Sequence, residues 1–245
     1  MVSIIACTNR DYSLDNILQN YERQLYKEKE LIIVLNHNRM DINKWRKAAE
    51  PYKDVTIYQL PQHVTLGECY NFAIPKARYD YIAKMDDDDY YSPYYLSEAM
   101  KGFEVSGASV VGKSTVFIYY LGQQDLTVFH ENHEFAKASK VEELFETYLL
   151  GATLVFRKDL FPHISFEPIN VGEDTRFLEA CLKNGILVYS TSKYNYVYIR
   201  YPRSIHHTST FQEYKLLEQS RIIKKTKDFH DDITLSVADI FKQEE

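Results

Sequence analysis

Several things are scarce in this 245-residue chain, and each shortage removes a class of protein. The three cysteines, Cys7, Cys69 and Cys181, are far apart and odd in number. No Cys-x-x-Cys occurs, so neither a disulfide framework nor a zinc site is expected, and a reducing compartment suits the chain. No run reaches the roughly 18 uncharged apolar residues of a membrane span. The opening MVSIIACTNRD has no basic stretch and soon meets Asn9, Arg10 and Asp11, which does not fit a secretory leader. Glycine is rare, and none lies in ACTNRDYSLD after the first apolar run. That disfavours the Gly-rich triphosphate loop of a nucleotidyltransferase. The net charge is −6, and no basic stripe appears, which argues against nucleic acid as the main partner. There are no repeats, no low-complexity tract and no clear linker.

What remains is ordinary for a soluble globular protein of one large α/β domain, with 45% hydrophobic and 26% charged residues. Tyrosine is common, at 21 residues. Its ring suits sugar and base stacking, although packing is the default use.

Hydrophobic patterning orders the first half. VSIIAC (2–7), ELIIVLN (30–36), VTIYQL (55–60) and DYIAKM (80–85) read as strands buried on both faces. Between them lie helical segments. Ser13 is a plausible N-cap for the first, Asp41 for a second holding Trp45, and Thr65 for a third ending near Pro75. Strands alternating with helices predict a mostly parallel sheet with helices on both faces. The second half is less regular. Residues 108–120 read as one or two strands, 151–161 as a strand entering a turn, and 187–201 as two strands with a turn. VGEDTRFLEACLKNG (171–185) predicts a helix with Gly185 as its stop. Residues 211–225 suggest an amphipathic helix, the start of a C-terminal helical extension.

Four consecutive aspartates, Asp86 to Asp89, follow the fourth strand. Adjacent carboxylates repel, so a cation or strong solvation is expected. An EF-hand loop counted from Asp86 needs Gly sixth and Glu twelfth, where Tyr91 and Ser97 stand. A solvated turn capping the next helix through Asp89 or Ser92 needs fewer acids. An Asp-x-Asp clamp for magnesium or manganese, holding a diphosphate, uses them best, because those ions take hard oxygen ligands.

VSIIACTNR, ELIIVLN, LGECYNFAIPKARYDYIAKMDDDD, GATLVFR and GEDTRFLEACLKNG occur in the order and spacing of a known family. Together they give a chain that resembles the family 2 glycosyltransferases over about residues 2–210. The resemblance implies the A-type, nucleotide-sugar-binding fold and a set of roles. Asp88, five residues before Pro93, would be a metal ligand, and Asp86 would face the metal or the ribose. Asp174 of the Glu-Asp pair would be the catalytic base, taking the acceptor hydroxyl's proton. Thr8 and Arg10 would meet the nucleotide. Asn36 replaces the aspartate that usually reads the base, commonly uracil, so the base is less fixed than in relatives; UDP is the first expectation for the donor, with another nucleotide as the alternative. Asn71 would bond near the ribose or diphosphate, and Gly67 would allow close approach. In a late loop, His207, followed by Thr208, would join the metal, and Arg203 the donor. Gly151 and Ala152 would leave room for an acceptor sugar. HENH (130–133) is not a zinc motif and reads as a loop.

The resemblance thus implies a metal-dependent, inverting transferase. It would use Mn2+ or Mg2+ and a nucleotide-diphosphate sugar, with a polysaccharide, wall polymer or glycoconjugate hydroxyl as acceptor. A catalytic domain would cover 1–210, its nucleotide half about 1–105 and its acceptor half about 106–210, with a helical extension over 211–245. Without a span, the expected location is cytoplasmic, or peripheral at the membrane through a partner. The different-class reading is a degenerate nucleotide- or glycan-binding domain, which Asn36 alone favours.

Overall fold

In the computed structural model, residues 1–144, 147–202, 216 and 218–242 are described. Strand β1 (Val2–Thr8) leads through helix α1 (Leu14–Arg23) to β2 (Lys29–Leu35), and α2 (Ile42–Ala49) leads on to β3 (Val55–Gln59). Helix α3 (Leu66–Ala73) then returns the chain to β4 (Tyr81–Lys84). All four strands pair in parallel in the order β3-β2-β1-β4, with Val2 opposite both Lys29 and Tyr81. The sheet grows from β1 to one side and then adds β4 on the other. β1 and β4 therefore flank a topological switch point, where the carboxyl ends of the strands open a crevice.

Local sequence explains most boundaries. Asp41 caps α2 by accepting the Asn43 N–H at 2.9 Å. Thr65 and Glu68 close a capping box on α3, and Pro75 lies in the single 3-10 turn that ends it. Ser13 departs from the expectation. A 3-10 turn (Asp11–Ser13) precedes α1, and the Ser13 hydroxyl donates to the Arg10 carbonyl at 2.8 Å rather than capping the helix.

The chain continues through β5 (Tyr90–Tyr91), α4 (Tyr95–Ser106), β6 (Val110–Gly112), β7 (Val116–Tyr120), β8 (Asp125–Phe129) and β9 (Lys137–Ala138). Then come β10 (Val155–Arg157), α5 (Glu173–Lys183), β11 (Val188–Ser190), β12 (Tyr196–Arg200) and β13 (Ser220–Lys225). Two short helices follow, α6 (His230–Ile233) and α7 (Val237–Phe241). The first sheet extends as β4-β10-β6-β11-β9, with β10 and β9 reversed. Ile4, Ala6, Leu31 and Ile33 face α1, α2 and α4, whereas Ile5, Ile32 and Val34 face α3 and α5. This is the period-2 burial that the apolar runs encoded.

A second sheet, β13-β8-β7-β12-β5, was not anticipated. The two strands read in 187–201 are β11 and β12, and they belong to different sheets. Of the helix expected over 211–225, residues 216 and 218 are helical, 211–215 and 217 lie outside the described residues, and 220–225 are instead a strand paired antiparallel with the edge of β8. Phe229 and Ile233 cover this sheet against Phe117, Tyr119 and Val128.

Two of the links between the sheets run through Lys113 and through 191–195, and Glu98 on α4 binds both. Lys113 Nζ lies 2.9 Å from Glu98 Oε1 and 2.7 Å from the Ser192 carbonyl. Ser192 Oγ donates to Glu98 Oε1 at 2.7 Å and Asn195 Nδ2 to Oε2 at 2.8 Å. Both charged groups are fully buried. Removing one partner of such a pair strands the other charge in the interior. Lys113→Met is therefore expected to lose about 3–5 kcal/mol of stability in urea unfolding. A loss below about 1 kcal/mol would show that this joint carries little load.

Candidate active site

The four aspartates occupy four different environments at the end of β4. Asp87 is buried and accepts from the Thr8 hydroxyl and from Arg10 Nη1 at 2.8 Å. Asp88 Oδ2 takes the same Arg10 nitrogen at 2.7 Å. Asp89, 1% exposed, turns toward the second sheet. There it accepts the Tyr196 hydroxyl at 2.5 Å and the Ile199 N–H at 3.0 Å. Asp86 has no side-chain hydrogen bond among the described residues, and its own N–H donates to the Tyr91 hydroxyl at 2.8 Å. The backbone of the turn is held from α1. Asn16 donates to the carbonyls of Asp87 and Asp89, each at 3.0 Å, and Asn20 donates to Asp89 at 2.9 Å.

Burial and crowding raise three of these acids. Burial, with Asp88, Glu173 and Asp87 adding and Lys84 opposing, pushes Asp86 up to about 7. Burial and Asp87, opposed by Arg10, push Asp88 up to about 6. Burial first, then Asp88 and Asp86, hold Asp89 well above the usual carboxylate range. Positive charge is what the cluster needs, and Arg10 bridging Asp87 and Asp88 is the internal supply.

The second element is the start of α5. Gly172, at φ +82°, turns the chain into the helix. Glu173 is buried and pairs with Lys84, the last residue of β4, at 3.0 Å. The Lys84 ammonium also lies 4.6 Å from the centre of the Tyr70 ring. Burial works against its charge, but Glu173, Asp86 and Asp174 outweigh it and keep Lys84 protonated. Asp174 follows directly. Its Oδ1 accepts the Thr175 N–H at 2.7 Å, and Thr175 Oγ1 lies 3.0 Å from the Tyr148 hydroxyl. One buried lysine therefore connects the acids after β4 to those opening α5.

The residues expected to serve the nucleotide are placed unevenly. Thr8 and Arg10 reach the cluster, but as partners of Asp87 and Asp88. Asn36, at the end of β2, donates through Nδ2 to the Pro61 carbonyl at 3.0 Å, which leaves its oxygen as the accepting end. Asn71 is engaged elsewhere. Its Nδ2 donates to the Phe166 carbonyl at 2.8 Å and its Oδ1 accepts the Phe166 N–H at 3.0 Å, stitching α3 to the segment before α5. Gly67 serves the same seam, where an added Cβ would stand 1.9 Å from the Glu167 carbonyl oxygen. The space at Gly151 does not await a sugar, because the Asp174 carboxylate fills it. Asp89 and Ser92 do not cap α4 with their side chains. Arg203 and His207 lie outside the described residues. The sequence reading missed Lys84, Tyr148, Asn16 and Asn20. Only Lys84 carried a signal, as the one charge inside the apolar run YIAKM.

Among the described residues no three His, Cys, Asp or Glu side chains form a closed metal cage. Two carboxylates at a crevice, completed by phosphate oxygens, are the usual arrangement for magnesium or manganese, and Asp86 and Asp88 fit it. The acids there are hard oxygen donors raised by burial and by neighbouring carboxylates.

The chain belongs to glycosyl transferase family 2, whose model matches residues 3–164. It is 30% identical over 169 residues to the O-antigen biosynthesis glycosyltransferase WbnJ of Escherichia coli. That match covers 65% of this chain and 63% of the relative, so the chain spans less than two thirds of that protein's length. Among solved structures, S. aureus TarS 1-349 in complex with UDP-GlcNAc superposes with a TM-score of 0.64 at 17% identity, covering 89% of this chain and 63% of that one. The mannosyltransferase PcManGT from Pyrobaculum calidifontis, in complex with GDP-Man and Mn2+, gives 0.55 at 15%, covering 81% and 56%. At these identities the structures speak for the fold. The family match ends before α5, so Asp174 stands on the geometry above.

Asp86 yields a prediction with a definite sign. Its folded-state value, about 7, lies above the ordinary 3.8, so folding favours its protonated form. Stability from this group is present at low pH and lost as pH rises between those values. In metal-free protein, the melting temperature of wild type should therefore fall relative to Asp86→Asn as pH goes from about 4 to about 7. Parallel curves would mean that Asp86 is not raised. Arg10→Met should lower the metal-free melting temperature, and added manganese should narrow the gap, since either cation relieves the same repulsion. A gap that manganese leaves unchanged would count against Arg10 as the internal counter-charge.

Proposed function

We propose that this chain is a metal-dependent, inverting glycosyltransferase that moves a sugar from a nucleotide-diphosphate donor to a hydroxyl acceptor. The observation that carries this reading is the Lys84 network. It joins the carboxylates at the β1–β4 switch point to Asp174 at the start of α5. A donor-side acid pair and a single carboxylate on a rigid helix are the two parts that one in-line displacement needs.

Asp88 and Asp86 would hold a magnesium or manganese ion, which when bound neutralises the diphosphate leaving group as a Lewis acid. Asp174 would take the acceptor hydroxyl's proton as that oxygen attacks the anomeric carbon from the opposite side. The Asn36 oxygen would accept from a base imide N–H, which suits uracil. The UDP-GlcNAc complex of the TarS structure supports a UDP-sugar as donor, and the PcManGT complex supports a divalent ion. The O-antigen relative supports a growing surface polysaccharide as acceptor. Among the described residues no helix is long and apolar enough to cross a membrane. We place the enzyme at the cytoplasmic side, near its acceptor through a partner. Residues 1–105 would serve the donor and 106–210 the acceptor.

A melting panel of nucleotide sugars with manganese tests the donor, because a ligand of the native state raises the melting temperature by mass action. A UDP-sugar should give the largest shift, and Asp88→Ala should lose the manganese-dependent part in calorimetry. Asp174→Asn should keep donor binding but lose turnover by about 10²–10⁴-fold. Full turnover in Asp174→Asn would overturn the base assignment. No shift with any nucleotide would favour a degenerate binding domain.

A further inference from the structure

Residues 173, 174 and 175 are each held in a different way. Glu173 is anchored by Lys84 at 3.0 Å, and Thr175 is bonded to Tyr148 at 3.0 Å. Asp174 between them has one side-chain partner, the Thr175 N–H and hydroxyl, both on Oδ1. Its other oxygen, Oδ2, is set by shape. An ideal Cβ on Gly151 would stand 1.6 Å from Asp174 Oδ2, 2.4 Å from Cγ and 2.7 Å from Cβ. Gly151 opens a single 3-10 turn (Gly151–Thr153) and is not among the positive-φ glycines, so its backbone accepts any residue. Only the side chain opposite excludes one.

We infer that Gly151 is a positioning residue: its missing Cβ is the slot that holds the Asp174 carboxylate in its working orientation. The inference rests on Asp174 as the base. Rotation about Cα–Cβ would carry Oδ2 and Cγ away from a new methyl, but the 2.7 Å contact at Cβ would remain. Alanine therefore both expels the carboxylate and presses on the first turn of α5. Asp86 and Asp88 lie on β4's side of the crevice, outside this contact, so donor binding should not register the change.

The test is Gly151→Ala in the full chain, with manganese and the UDP-sugar that gives the largest melting shift. Turnover is read as transfer to acceptor or to water. We expect kcat to fall about 10²-fold, with donor KM and calorimetric UDP–manganese affinity unchanged. In an Asp174→Asn background the same substitution should cost no further turnover, since both changes remove one function. A melting cycle provides a readout independent of activity and of folding loss in the single variant. Gly151→Ala should lower the melting temperature in wild type, and Asp174→Gly, which removes the Cβ as well as the carboxylate, should restore most of that loss relative to Asp174→Gly alone. Normal kcat in Gly151→Ala, with Asp174→Asn inactive, would overturn the inference and leave the base standing. Failure of Asp174→Gly to restore stability would overturn it as well. If Asp174→Asn itself keeps turnover, the base assignment fails instead.

Discussion

A buried ammonium among carboxylates is the constraint around which this molecule is arranged. Lys84 closes β4 and is 2% exposed, yet it stays charged because Glu173 touches it and Asp86 and Asp174 lie within its field. Taking such a charge out of water is costly, and only close partners offset it. The cost fixes where α5 can begin relative to β4. It therefore fixes the relation between an acid pair suited to a cation and a single acid suited to proton transfer. The chemistry proposed here needs that relation to be rigid.

The rest of the fold uses similar joints. Glu98 and Lys113 pin two of the crossings between the sheets, and Asp89 ties the aspartate turn to β12 through Tyr196 and Ile199. These contacts are buried and directional, so they set position more than they add stability. The crevice lies where such joints meet, with apolar layers behind it on both faces of the first sheet.

The first half of the chain was legible because its signals are local and repeated. Apolar runs of strand length, the caps at Asp41 and Thr65, and the stop at Pro75 each state one thing, and the structure agrees. The second sheet was not legible. β12 and β13 find their partners across long stretches of chain, and the Ser220–Lys225 pattern does not announce a strand until β8 is beside it. In the site, the resemblance singled out Asp86 and Asp88 among the four aspartates, but the partners of the other two could not be read. Thr8 and Arg10 reach Asp87, and Tyr196 reaches Asp89, from distant parts of the chain. Asn71 shows the same limit. A polar side chain in the last turn of α3 looks free until its backbone partner, Phe166, arrives from far along the chain.

The two asparagines of α1 have a further consequence. Asn16 and Asn20 grip the carbonyls of the aspartate turn with amide groups that do not titrate and bind cations poorly. The loop's path is thereby decoupled from its ionisation. Protons, the Arg10 guanidinium and a metal can exchange at the carboxylate tips while the main chain keeps one shape. The turn then works like a socket with a fixed frame and changeable occupants, so each catalytic cycle need not rebuild it.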